Sequence, residues 1–85
     1  PQGTAVLDVG AGARTLARYL PAGATYQAVD VVEGPETIRA DFNALQVPEL
    51  PRVYDWVVCA GVLEYVGPVH LLLATLAGWG HTIVL

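Results

Sequence analysis

Hydrophobic residues along this chain fall in blocks rather than in alternation. Thr4-Ala5-Val6-Leu7-Asp8-Val9, Thr25-Tyr26-Gln27-Ala28-Val29-Asp30-Val31 and Tyr54-Asp55-Trp56-Val57-Val58-Cys59-Ala60 are near-continuous apolar runs rich in valine. Strands buried on both faces look like this, as in a parallel sheet, whereas half-buried strands alternate. A fourth run, His81 to Leu85, ends the chain. Helical spacing lies between the runs. From Ala13 to Leu20, Leu16, Tyr19 and Leu20 share one side and Arg14 and Arg18 the other, and Pro21 and Gly23 stop the pattern. Pro68 suits a first helical position, Val69 to Ala77 carries Leu72, Leu73 and Leu76 at helical spacing, and Gly78 suits a terminator. Thr37 to Phe42 is strand-like, but only Glu33, Gly34, Pro35 and Glu36 separate it from the second run. A parallel crossover normally takes a dozen or more residues. A shortened edge element, an antiparallel strand and an extended loop all remain open for it. The order strand, helix, strand, strand-like segment, strand, helix, strand predicts an α/β layer with right-handed crossovers.

Composition sharpens this picture. The 85 residues are 54% hydrophobic and 14% charged, against about 25% charged in ordinary globular chains. Disorder is excluded, and with Cys59 as the single cysteine so is a disulfide-stapled scaffold. The apolar excess implies a core larger than a chain of this size encloses. Residues 1–85 are therefore expected to form a single partial domain, completed by the remainder of a larger chain or by an oligomer partner. The opening Pro1 and the lack of methionine carry the same expectation.

Charge and hydropathy limit the partners. The net charge is −4, and the four cations, Arg14, Arg18, Arg39 and Arg52, form no cluster. Phosphate-backbone binding needs clustered basic residues, so no nucleic-acid surface is expected in this segment. The longest apolar stretch, Val66 to Trp79, is interrupted by Gly67, Pro68, His70 and Gly78 and is too short for a membrane span. No signal-peptide pattern is present, and a lone cysteine gives no sign of an oxidising compartment, so a cytoplasmic location is expected. His70 and His81 have no second ligand cluster near them in sequence, and no metal site is expected.

The chemistry concentrates at strand ends. Val6-Leu7-Asp8-Val9-Gly10-Ala11-Gly12 places a carboxylate on a strand, then two glycines one residue apart, then a helical stretch. Glycines there let the backbone turn sharply and pass close to a ligand, and a helix N-terminus would offer it N–H groups. A dinucleotide fingerprint needs a third glycine three residues after the second, where Thr15 stands. Asp30 stands at the end of the second expected strand, 22 residues after Asp8, where a carboxylate can accept from both hydroxyls of an adenosine ribose. Ala40-Asp41-Phe42-Asn43 follows the strand-like segment, and the third run leads into Gly61-Val62-Leu63-Glu64-Tyr65-Val66. Each group also has a plain structural reading: Asp8 a buried carboxylate satisfied locally, Asp30 a turn cap, Asp41 an exposed edge residue. Asp55 is read as starting a strand, Glu64 as a helix-start carboxylate rather than a base, Trp56 and Tyr65 as packing groups, and Cys59 as core.

Taken in order, Asp8-Val9-Gly10-Ala11-Gly12, Val29-Asp30, Ala40-Asp41-Phe42 and Tyr54 to Val58 with Gly61 to Val66 resemble the motifs of class I S-adenosylmethionine-dependent methyltransferases. The resemblance covers almost the whole chain. It implies a mostly parallel Rossmann-like sheet flanked by helices, incomplete at about five strands and lacking the C-terminal strands of the full fold. It also implies a cofactor site: the loop of Asp8, Gly10, Ala11 and Gly12 along the methionine part of S-adenosylmethionine, Asp30 with Val31 at the ribose, Asp41 and Phe42 at the adenine, and Ala60 and Gly61 after the fourth strand. The catalytic residue and the methyl acceptor, a small molecule or another group, are not implied. The sequence departs from the family in three places. Arg14 stands where many members have a third glycine, the helix between the second and third strands is missing, and the substrate-facing strands are not present. Two further functions compete, a nicotinamide-dependent Rossmann oxidoreductase or epimerase and a non-catalytic methyltransferase-like interaction module. Asp30 suits the first of these, but Thr15 and Asp8 do not.

Overall fold

A computed structural model of the protein describes residues 3–12, 15–32, 34–59 and 66–85. The elements are β1 (Ala5–Val9), a 3-10 helix (Thr15–Tyr19), β2 (Thr25–Asp30), β3 (Thr37–Arg39), β4 (Tyr54–Val58), α1 (Val69–Trp79) and β5 (Gly80–Val84). The five strands form one sheet in the order β3-β2-β1-β4-β5, and every pairing is parallel. This is an α/β fold with a Rossmann-like sheet. The chain builds outward from β1 in one direction through β2 and β3, then restarts on the other side with β4 and β5. The change of direction lies between β1 and β4, and open sheets of this kind bind ligands at the carboxyl ends of the strands beside it.

Burial on both faces explains the block pattern of β1 but not that of β2 and β4, where Thr25 and Trp56 are exposed. All five residues of β1 are buried, because it lies at the centre of the sheet. Ala5, Leu7 and Val9 share one face by strand alternation. They join Val29, Val57 and Cys59 in a single core with Leu72, Leu76 and Trp79 of α1. Val6 looks to the opposite face, where Leu16, Leu20, Pro21, Trp56 and Val58 border an apolar groove. Asp55 fixes the start of the central pair, its Oδ2 accepting the Ala5 N–H at 2.7 Å.

Several local expectations change. The stretch Ala13 to Leu20 does not form a full α-helix; its described part is a five-residue 3-10 helix. Leu16 and Leu20 are half-buried, but Tyr19 is 79% exposed rather than sharing their side. Pro68 occupies the cap position and α1 begins at Val69. Within α1, Leu72 and Leu76 are buried while Leu73 faces solvent. Gly78 does not end the helix. The helix continues because the next residue, Trp79, is buried beside Phe42, with ring centroids 6.0 Å apart and planes tilted by 59°.

Thr37–Arg39 is a parallel strand, with Ala28 opposite Thr37 and Asp30 opposite Arg39. A six-residue link suffices because β3 starts beside the last three residues of β2. The chain has to retreat only about 7 Å at 3.3 Å per residue, so no helix is needed. Glu36 turns the chain at φ 53°, and the Gln27 side-chain amide donates to the Glu36 carbonyl at 2.9 Å.

α1 passes into β5 with no intervening loop, which puts Gly80 opposite Tyr54. A Cβ at Gly80 would run into the Val57 side chain and come 3.0 Å from the Tyr54 carbonyl oxygen. The Gly80→Val variant is therefore expected to lose about 1–3 kcal/mol from overpacking, read as a lower urea midpoint. An unchanged midpoint would show that β5 can move away at no cost.

Candidate functional site

The glycine loop leaves β1 through two residues in the left-handed region, Gly10 at φ 75° and Gly12 at φ 55°. Side chains disfavour both conformations by about 1–2 kcal/mol, so glycine is needed here for the backbone path itself. The loop is anchored to β2, with the Gly10 and Ala11 N–H groups donating to the Val29 carbonyl at 2.7 and 3.3 Å.

Asp30 ties this loop to the next one. Its Oδ2 accepts from the Gly12 N–H at 2.8 Å, and its Oδ1 accepts from the N–H groups of Val31 at 2.7 Å and Val32 at 3.4 Å. The turn-cap reading of Asp30 is thus realised. A carboxylate has about four acceptor positions, so capping does not exhaust it. Asp30 also borders two cavities. One, of about 330 Å³, is walled by Val9, Gly10, Val29, Asp30, Asp41 and Phe42. The other, of about 300 Å³, lies across Asp30 and includes Ala11 and Gly12.

Asp41 follows β3. Its backbone exchanges two 2.9 Å hydrogen bonds with Gln46, and its Oδ1 accepts from the Ala44 N–H at 3.2 Å. These bonds form a tight loop, with Leu45 at φ 58°, that holds Phe42 between the core and the first cavity.

Gly10, Ala11, Gly12, Asp30, Val31, Asp41 and Phe42 therefore all border the paired cavities at the carboxyl ends of β1, β2 and β3. Asp8 does not line them. It is 7% exposed, and its Oδ2 accepts from the Tyr26 hydroxyl at 2.6 Å. This bond offsets part of the cost of burying the Asp8 side chain. Ala60 and Gly61 lie outside the described residues, as do Arg14, Glu64 and Tyr65. Cys59 is buried, and burial, with Asp8 adding to it, pushes its thiol above the ordinary range. It stays a neutral core group at physiological pH.

Two contributors were not singled out in the sequence. Tyr26 reaches Asp8 from the neighbouring strand, a consequence of the register that sets Val6 beside Tyr26. Val66 lines the first cavity from the segment leading into α1, and its signal was only its place at the end of the Gly61-to-Val66 stretch. Among the described residues, no group of His, Cys, Asp and Glu side chains is gathered to hold a metal ion, and no helix is long and apolar enough to cross a membrane.

The chemistry available is that of recognition. Valine, alanine and phenylalanine walls suit a flat apolar ring. Among the described residues lining the two cavities, Asp30 and Asp41 are the charged side chains, and both are acceptors. Such a site favours ligand groups that donate hydrogen bonds, such as hydroxyls and amines, over phosphates. No family model, no curated protein and no solved structure matches the chain.

Proposed function

We propose that this chain is the cofactor-binding core of an S-adenosylmethionine-dependent methyltransferase. The observation that carries this reading is the convergence of the glycine loop, Asp30, Asp41 and Phe42 on adjoining cavities at the carboxyl ends of parallel strands. The donor set fits the cofactor. Asp30, through the one acceptor position that capping leaves on Oδ2, would accept from a ribose hydroxyl and Asp41 from the adenine amino group, while Val9, Val29 and Phe42 would enclose the ring. Gly10 to Gly12 would pass beside the amino-acid portion without side-chain obstruction. When bound, the cofactor would supply an electrophilic sulfonium methyl, whose carbon an acceptor nucleophile attacks in line as the C–S bond breaks and the sulfur leaves as a neutral thioether. The residues of this chain hold the donor in place and shield it from water, and positioning of that kind contributes much of the rate of such a transfer.

The nicotinamide alternative is less well supported. A dinucleotide carries a pyrophosphate, which is normally held by glycine-loop N–H groups at the start of an α-helix. Here the Gly12 N–H is committed to Asp30, a 3-10 helix of five residues follows, and both charged side chains lining the cavities are acidic. Thermal denaturation distinguishes the two. At 100 times its dissociation constant a ligand stabilises the folded state by about 2.7 kcal/mol. S-adenosylhomocysteine is expected to raise Tm by several degrees and NAD to leave it unchanged, and the reverse pattern would favour the oxidoreductase.

A further inference from the structure

Asn43 joins two walls of the first cavity that are far apart in sequence. Its Oδ1 accepts from the Gly67 N–H at 2.7 Å, across 24 residues. Both Asn43 and Val66, the neighbour of Gly67, line this cavity. The approach is close, since a Cβ on Gly67 would lie 3.4 Å from the same oxygen. Neither end of the bond is loose. Asn43 sits within the loop closed by the Asp41–Gln46 pair and by the Leu45 N–H on the Phe42 carbonyl at 3.1 Å. On the other side, the Val69 N–H donates to the Gly67 carbonyl at 2.9 Å and the Leu72 N–H to the Pro68 carbonyl at 3.1 Å, fixing the segment to the start of α1.

We propose that Asn43 is a positioning residue, a clasp that holds the Val66–Gly67 wall against the Asp41–Phe42 loop and so sets the width of the ligand cavity. This rests on the reading of the cavity as the adenosyl site. The clasp works through an acceptor oxygen and not through the amide nitrogen. Asparagine in this role is therefore replaceable by aspartate and not by alanine. The sequence offers no hint of it, because the two partners meet only through the topology that carries the chain from β3 across to α1.

Two measurements on the unsubstituted protein, Asn43→Ala and Asn43→Asp test this proposal. Amide hydrogen exchange at Gly67 needs no ligand, and calorimetry with S-adenosylhomocysteine reads the cavity. Asn43→Ala is expected to speed Gly67 exchange and to weaken binding about three- to tenfold, as loss of one hydrogen bond implies. Asn43→Asp is expected to remain close to the unsubstituted protein in both. Unchanged Gly67 exchange in Asn43→Ala would overturn the clasp. So would an Asn43→Asp variant that loses as much affinity as Asn43→Ala, since that shows binding to depend on the amide nitrogen rather than on the acceptor oxygen. If the unsubstituted protein does not bind S-adenosylhomocysteine, the functional reading fails, and exchange in the two variants still decides the clasp.

Discussion

The Gly12→Val variant is expected to abolish detectable binding of S-adenosylhomocysteine while keeping the circular dichroism spectrum of the folded protein. Gly12 has φ 55° and borders the second cavity, and among the described residues, its chain neighbours aside, no atom lies within 4 Å of where its Cβ would be. The added Cβ therefore meets no described residue beyond its chain neighbours. Its cost to folding is the strain of a left-handed valine, about 1–2 kcal/mol. The new side chain would instead occupy space beside the loop, where the ligand is proposed to pass. Gly12→Ala adds a single Cβ and is expected to have an intermediate effect. Retained binding in Gly12→Val would mean that the loop is only a tight turn between β1 and the 3-10 helix.

The Asp30→Ala variant is expected to weaken the same binding about 10- to 100-fold, the loss of a charged hydrogen bond being worth roughly 1.5–3 kcal/mol. Two effects combine here. The variant loses the proposed ribose acceptor, and it frees the Gly12, Val31 and Val32 N–H groups that Asp30 now holds. Asp30→Asn separates them in part. Its remaining oxygen can still cap Val31, but its amide cannot accept from Gly12, so it is expected to fall close to Asp30→Ala. Titration calorimetry showing less than a twofold change in both variants would leave Asp30 as a turn cap and nothing more.

Much of the fold was legible because apolar runs mark the strands, although only β1 of these is buried along its whole length, Thr25 of β2 and Trp56 of β4 being exposed. β1, β2 and β4 stand out as apolar runs, and their order indicated a parallel sheet. The expected parallel sheet, with α1 packed against it, is what the structure contains. The errors have physical causes. β3 was ambiguous because link length was weighed without register, and a strand that starts beside Ala28 needs only a short link. Gly78 looked like a stop because local propensity favours it there, but burial of Trp79 against Phe42 overrides that preference. The described part of the first helical stretch is a five-residue 3-10 helix, and Tyr19 does not share the half-buried side of Leu16 and Leu20.

The site divides in a similar way. The glycines, Asp30 and Asp41 could be found because each stands at a strand end, where chemistry is rarely left to chance in sheets of this kind. The bonds of Tyr26 to Asp8 and of Asn43 to Gly67 could not, because the partners lie 18 and 24 residues apart and meet only through the folded topology. Asp8 stands on its strand as the motif implies, buried and bonded to Tyr26, and is not among the residues that line the two cavities.

The most direct test of the account is to map S-adenosylhomocysteine onto the backbone amides by heteronuclear NMR, with NAD as the comparison. The predicted result is a set of shifts concentrated at Gly10, Gly12, Asp30, Val31, Asp41 and Phe42, with NAD leaving the same amides unmoved. The account is contradicted if S-adenosylhomocysteine leaves these amides unmoved while NAD shifts them, or if its shifts fall on the opposite face of the sheet around Leu16 and Trp56.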